Sequence, residues 1–195
     1  MMAGFTEEQM HRPLFEEPTA AIERPDQWSE PLGFLVGGGA NQRYQHLGQQ
    51  YYNAAEHLVE GIKHQDVADY EVANPVLYLY RHSIELFLKA IMQGAAKTHS
   101  LDTLADEYRD FIKDEFGSDC PKWIITRMKE LGAIDPNSTA FRYNMTYNKQ
   151  AKTDEPVPGE FHVNLHHLKS AMTALNVALV GTIAMVACGE GKSVQ

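Results

Sequence analysis

The chain predicts an all-α fold, an up-and-down bundle of about five helices carrying an extended N-terminal arm. Three observations lead there. Apolar residues recur at spacings of three and four in four separate segments, the period of an amphipathic helix. No segment shows β-branched alternation punctuated by regularly spaced turns, so a sheet is not expected. The first forty-two residues form a different compositional zone, in which Pro13, Pro18, Pro25 and Pro31 precede the run Gly37, Gly38, Gly39. Repeated prolines remove backbone donors and interrupt helix, so this zone reads as an arm. Phe15, Trp28, Phe34 and Leu35 are its apolar handles, and the glycine run is its hinge.

The body begins near residue 43. Tyr44, Leu47, Tyr51, Ala54, Leu58 and Ile62 give the first helix, over residues 43–64. Asn74 and Pro75 supply a cap and a first-turn proline for a second helix reaching about Gln93. Its inward face is Leu77, Tyr80, Ile84, Phe87, Leu88 and Ile91. Ser100 caps a third helix running to about Glu115, and Asp119 with Pro121 opens a shorter fourth ending near Leu131 and Gly132. Residues 135–159 read as a long polar loop, with room for a helical turn within 138–147. Leu165, Leu168, Met172, Leu175, Leu179, Ile183 and Val186 form a near-heptad stripe on a long last helix. The predicted organisation is an arm over 1–42, a helical domain over 43–190 and a tail over 191–195.

The 195 residues suffice for one domain with a substantial core. Seventeen Lys and Arg against twenty-six Asp and Glu leave a net charge of −9. Such a chain lacks the overall positive field that drives non-specific phosphate binding, so a nucleic-acid role needs a local basic patch. Nine histidines would bring the net charge to zero if all were protonated, which places the poorest solubility in mild acid. Cys120 and Cys188 lie in different segments, arguing against a disulfide framework or a cysteine-rich zinc site and for a reducing cytosol. The N-terminus has no apolar run that would mark a secretory signal. Residues 171–188 carry no charge and approach spanning length. Their alanines, Thr173, Asn176 and Thr182 favour a buried core helix, and no membrane association is expected.

The second helix carries the densest chemistry. Tyr78, Arg81, His82, Glu85 and Lys89 fall together on one face opposite the apolar stripe, a ladder within hydrogen-bonding reach. The face is either solvated or lines a groove where an arginine held by a carboxylate recognises phosphate. His99, in the loop before the third helix, is a further acid/base candidate. Arg142, between Phe141 and Tyr143, is expected to stack on one of those rings and pair with Glu85.

Three stretches resemble the HEPN-domain superfamily: residues 80–90 (Tyr-Arg-His-Ser-Ile-Glu-Leu-Phe-Leu-Lys-Ala), Thr98-His99-Ser100-Leu101 with Leu104, and Phe141-Arg142-Tyr143. The resemblance covers roughly residues 43–186. It implies a helical bundle that pairs through its helices and works in toxin–antitoxin, abortive-infection or phage-defence systems. It also implies a metal-independent endoribonuclease with an Arg and a His separated by four to six intervening residues. There, the histidine acts as general acid/base for attack by the ribose 2′-hydroxyl, and the arginine stabilises the phosphorane. This chain departs from that motif: Tyr147, Asn148 and Lys149 follow Arg142 at the corresponding positions, and Leu86, Phe87 and Leu88 follow Arg81. Arg81, His82 and His99 are the residues an atypical nuclease centre could use. Tyr78, Arg81, Glu85, Lys89, Arg142 and Tyr143 are the ligand-binding candidates.

Other chemistries have less support. His162 and His166 have the i,i+4 spacing that can bring two imidazoles to one zinc, with His167 adjacent, but no HExxH pattern or carboxylate at helical spacing completes a site. His46, His57 and His64 share a helical face, yet lie about 16 and 10 Å apart at 1.5 Å per residue, too far for one ion. No nucleophile elbow or P-loop is present, and no base can be assigned to Cys120. No cofactor or metal is expected. Three functions stay open: a HEPN-like domain binding nucleotide, RNA or a partner protein without cleavage, an atypical endoribonuclease, or a helical assembly protein. The last helix is apolar around most of its circumference, adding Val177, Ala178, Val180, Ala184 and Met185 to the stripe, so a homodimer is expected. A partner protein encoded nearby is a further possibility.

Overall fold

The computed structural model describes residues 43–189 except Lys149 and Pro158, together with Thr6, His11, Pro13 and Phe15. The remaining arm residues and the tail, including Trp28, Phe34, Leu35 and the glycine run, lie outside the described residues. The chain divides into Met1–Gly38 and Gly39–Gln195, and the elements set out below belong to the second unit.

Among the described residues the unit is helical: α1 (Tyr44–His64), α2 (Asp69–Ile91), α3 (Leu101–Phe116), α4 (Lys122–Ile134), the single turn α5 (Ala140–Tyr143) and α6 (Leu165–Ala187). One antiparallel hairpin, β1 (Met145–Asn148) and β2 (Thr153–Pro156), sits between α5 and α6 with Thr146 opposite Glu155. The all-α class expected from periodicity is thus the observed one. The hairpin interrupts the predicted polar loop, and α5 is the helical turn expected within it. Asn148 organises the reversal, its Oδ1 accepting from the amides of Gln150 at 2.9 Å and Ala151 at 3.1 Å.

The largest departure is the start of α2. It begins at Asp69, a turn and a half before the predicted Asn74 cap, and carries Pro75 inside. Asp69 and Glu71 in the first turn suit the positive end of the helix dipole, and Glu71 reaches back to accept from the Ala68 amide at 3.3 Å. Pro75 removes one intrahelical bond, but the helix is solvent-exposed there, where water can take the released carbonyl. Of the other predicted caps, Ser100 is present, its hydroxyl accepting from Thr103 N at 3.4 Å, whereas α4 starts after Pro121 without a side-chain cap and Asp119 instead pairs with Lys113 at 2.9 Å. At the start of α6, Asn164, which the sequence reading did not name, accepts at Oδ1 from His167 N at 2.9 Å.

α2 is the central helix, packed on α1 along one flank and on α6 along another. Tyr80, Ile84, Phe87, Leu88 and Ile91 of α2 meet Ala55 and Val59 of α1, Leu101 and Leu104 of α3, Met128 of α4, and Leu175 and Leu179 of α6 in one buried core. Polar ties fix the helix registers. Tyr52 Oη donates to Thr173 Oγ1 at 3.3 Å, Tyr80 Oη to Glu56 at 2.5 Å, and the Tyr108 and Thr182 hydroxyls lie 3.0 Å apart. Lys169 pairs with Glu60 and Glu56 across the α1–α6 seam. α6 is the described helix long and apolar enough to cross a membrane. In the bundle it turns Met172, Leu175, Leu179 and Thr182 to the core and leaves Val177 and Met185 exposed.

Candidate functional site

The ionic ladder of α2 lies inside the protein. Arg81 is 0% exposed, Glu85 1% and Lys89 9%. A charged face opposite an apolar stripe would ordinarily be solvated, but here two remote segments cover it: the loop ahead of α3, through His99, and the turn after α4, through Asp135. Burying such charges is tolerable only where they are paired and hydrogen-bonded.

Each guanidinium nitrogen of Arg81 has a partner. Its Nη1 donates to Glu85 Oε2 at 3.0 Å, its Nη2 to the His99 carbonyl at 2.6 Å and its Nε to the Asp135 carbonyl at 3.2 Å. Asp135 Oδ2 stands 3.1 Å from the same Nε as an ion pair without an aligned hydrogen bond. Its Oδ1 accepts from the Thr139 and Ala140 amides at 2.7 and 2.8 Å, holding the start of α5. One guanidinium therefore joins α2, the loop before α3 and the turn before α5.

Glu85 is the hub. Its Oε1 accepts from Lys89 Nζ at 2.9 Å and lies 2.7 Å from His99 Nδ1, while Oε2 takes Arg81. Burial alone would push the Glu85 carboxyl up, yet the hydrogen bonds and charges of Lys89 and His99 outweigh it and hold the group below its ordinary range. His99 projects the rest of its ring outward, its side chain 67% exposed.

The outer surface beside this network is aromatic. His82 stacks on Tyr78 with ring centroids 5.6 Å apart and receives Tyr51 edge-on at 4.5 Å. Burial lowers the His82 pKa, with Arg81, Lys89 and His99 adding to the effect and Glu85 opposing it, so the imidazole is biased to its neutral form. The Arg142 guanidinium sits over the Tyr78 ring at 5.8 Å and the Tyr143 ring at 5.2 Å, and its Nε donates to the Ser138 carbonyl. Tyr78, Arg142 and Tyr143 border an open hollow of about 500 Å³, lined also by Asn74, Pro75, Phe141 and Asn144.

The expected stacking of Arg142 is present, whereas its expected pairing with Glu85 is not. Arg81, one turn away on the same helix, already occupies the carboxylate oxygen that Arg142 would need. The predicted residues separate into two layers: Arg81, Glu85 and Lys89 are internal, and Tyr78, His82, His99, Arg142 and Tyr143 reach the surface. Sequence reasoning did not single out Asp135, whose only signal is an Asp-Pro pair at a helix end, or Tyr51, which reads as a core position of α1. Among the described residues no group of three or more His, Cys, Asp or Glu side chains is gathered to hold a metal ion. No protein-family model, curated protein or solved structure matches the chain.

Proposed function

We propose that this chain is a HEPN-like helical domain that binds a nucleotide, or the single-stranded end of an RNA, without cleaving it, in a regulatory or defence role. The carrying observation is the Arg142 guanidinium held over Tyr78 and Tyr143 at the edge of the hollow, with Nη1 and Nη2 making no bond among the described residues. A guanidinium fork presented this way suits a phosphate, and the exposed Tyr143 ring suits a base. The acidic balance of the chain favours a short ligand over a long duplex, because only a local patch of cations is offered. The non-cleaving form is preferred because Arg81 is 0% exposed and each of its guanidinium nitrogens already has a protein partner, so it has no access to a phosphorane.

Fluorescence anisotropy with labelled single-stranded RNA and a thermal-shift panel of nucleotides test the proposal. Tyr143→Ala is expected to weaken binding about 5- to 150-fold, the range for one base stacked on one aromatic ring. Arg142→Ala is expected to flatten the salt dependence by roughly one phosphate contact. No response to any nucleotide or RNA would refute the proposal and leave an assembly role. Exposed Val177 and Met185 of α6, with exposed Trp123 of α4 beside Val177, support pairing with a second copy through α6, and a monomer by light scattering at micromolar concentration would refute that part.

A further inference from the structure

We propose that His99 is a nucleophile that accepts a phosphoryl group on Nε2, with Glu85 as its positioning residue. This inference stands independently of the nucleotide-binding proposal. An ionised carboxylate accepts hydrogen bonds and donates none. With Glu85 Oε1 2.7 Å from His99 Nδ1, the imidazole proton therefore sits on Nδ1, and in the neutral ring Nε2 carries the lone pair. The ring is held at one end by Glu85, while Arg81 Nη2 grips the His99 carbonyl at 2.6 Å. Nε2 is thus turned outward on a side chain 67% exposed, with its tautomer fixed by a carboxylate 1% exposed. None of the other described histidines has a hydrogen bond from a ring nitrogen to a buried carboxylate.

A phosphoryl donor with a good leaving group, an acyl phosphate or a phosphoramidate, fits this arrangement. The Nε2 lone pair attacks phosphorus and the bond from phosphorus to the leaving group breaks with its electron pair; an acyl phosphate releases a carboxylate, and phosphoramidate, whose amino nitrogen is carried as –NH3+ at neutral pH, releases ammonia. The product is a phosphorylated imidazolium that keeps its proton on Nδ1 and donates it to Glu85, whose negative charge balances the positive charge that develops on the ring. Arg81 and Lys89 behind Glu85 offset its charge and so reduce repulsion of an anionic donor.

The full chain incubated with potassium phosphoramidate at neutral pH provides the test. Mass spectrometry is expected to find His99 phosphorylated at least ~10-fold faster than the exposed His57, His64 and His166 of the same molecule. Phosphorus NMR is expected to assign the Nε2 isomer, and His99→Asn removes that signal. Labelling of His99 at the rate of the other three, or at Nδ1, overturns the inference without bearing on nucleotide binding. Because the comparison is internal to the wild-type chain, it does not depend on a variant that folds.

Discussion

Replacing Arg81 by methionine tests whether the buried network holds the fold together. Methionine keeps much of the stem volume, so the loss is chiefly that of the guanidinium. Three hydrogen bonds disappear, to Glu85 at 3.0 Å and to the His99 and Asp135 carbonyls at 2.6 and 3.2 Å. Glu85 still has Lys89 and His99, but among the described residues Asp135 Oδ2 has no ion-pair partner besides Arg81. Breaking a buried ion pair from one side costs about 3–5 kcal/mol. At roughly 2–4 °C per kcal/mol for a domain of this size, the midpoint should fall by about 6–20 °C. Urea denaturation and calorimetry measure this directly. Asp135→Asn in the same background removes the stranded charge while keeping an oxygen for the Thr139 and Ala140 amides, so the double variant should recover about 1 kcal/mol or more relative to additivity. A single-variant loss below about 1 kcal/mol, or strict additivity, would show that water reaches Arg81 and would refute a dry network.

Three further outcomes are expected. A Cβ at Gly48 would meet the Phe87 ring at 3.0 Å, whereas one at Gly181 meets nothing within 4 Å. The gain in helix propensity is common to both alanine variants, so Gly48→Ala should be less stable than Gly181→Ala by the overpacking cost of about 1–3 kcal/mol, read from urea midpoints. Glu85 titrates below its ordinary value in the folded chain. Its stabilising contribution is therefore complete above the unfolded value of about 4.3 and lost as pH falls through the folded one, so the stability gap between wild type and Glu85→Gln should shrink as pH falls below that unfolded value; a constant gap would refute this. His82 is also lowered in the folded chain, so stability should fall as pH drops from about 6.5 through the folded value. His82→Phe, which retains a ring against Tyr78, should lack that loss in denaturation at pH 7.5 and 5.5.

The helices readable from sequence are those whose buried side is continuous. α1, α3 and α6 repeat apolar residues at three and four along their length, and Ser100 and Gly117 mark the ends of α3 with a side-chain cap and a left-handed φ of 66°. The start of α2 was hidden because residues 69–75 are mostly exposed and carry no apolar period, while Asn74-Pro75 imitates a helix start. The hairpin was hidden for a related reason: every residue of β2 is exposed, so no alternation records the pleat. The ladder shows a different limit. Spacing placed Arg81, Glu85 and Lys89 on one face, but what covers that face lies 54 residues away at Asp135 and 18 residues away at His99. Local periodicity carries no signal for contacts at such separations.

The two layers of the candidate site separate support from contact, and this makes their roles distinguishable. Desolvating Arg81, Glu85, Lys89 and Asp135 carries an energetic cost that well-packed apolar residues would avoid. In return, three segments distant in sequence are tied to one guanidinium, fixing both the loop that carries His99 and the turn ahead of α5, which carries Arg142 and Tyr143. A surface set on such a base loses little further freedom when a ligand arrives, which is the advantage of preorganisation. Substitutions at Arg81 should consequently lower thermal stability and ligand affinity together, whereas Arg142→Ala and Tyr143→Ala should lower affinity while leaving the unfolding midpoint within about 2 °C of wild type. If Arg142→Ala instead unfolds the chain as readily as Arg81→Met, the two layers are one structural unit, and the hollow loses its claim to be a site.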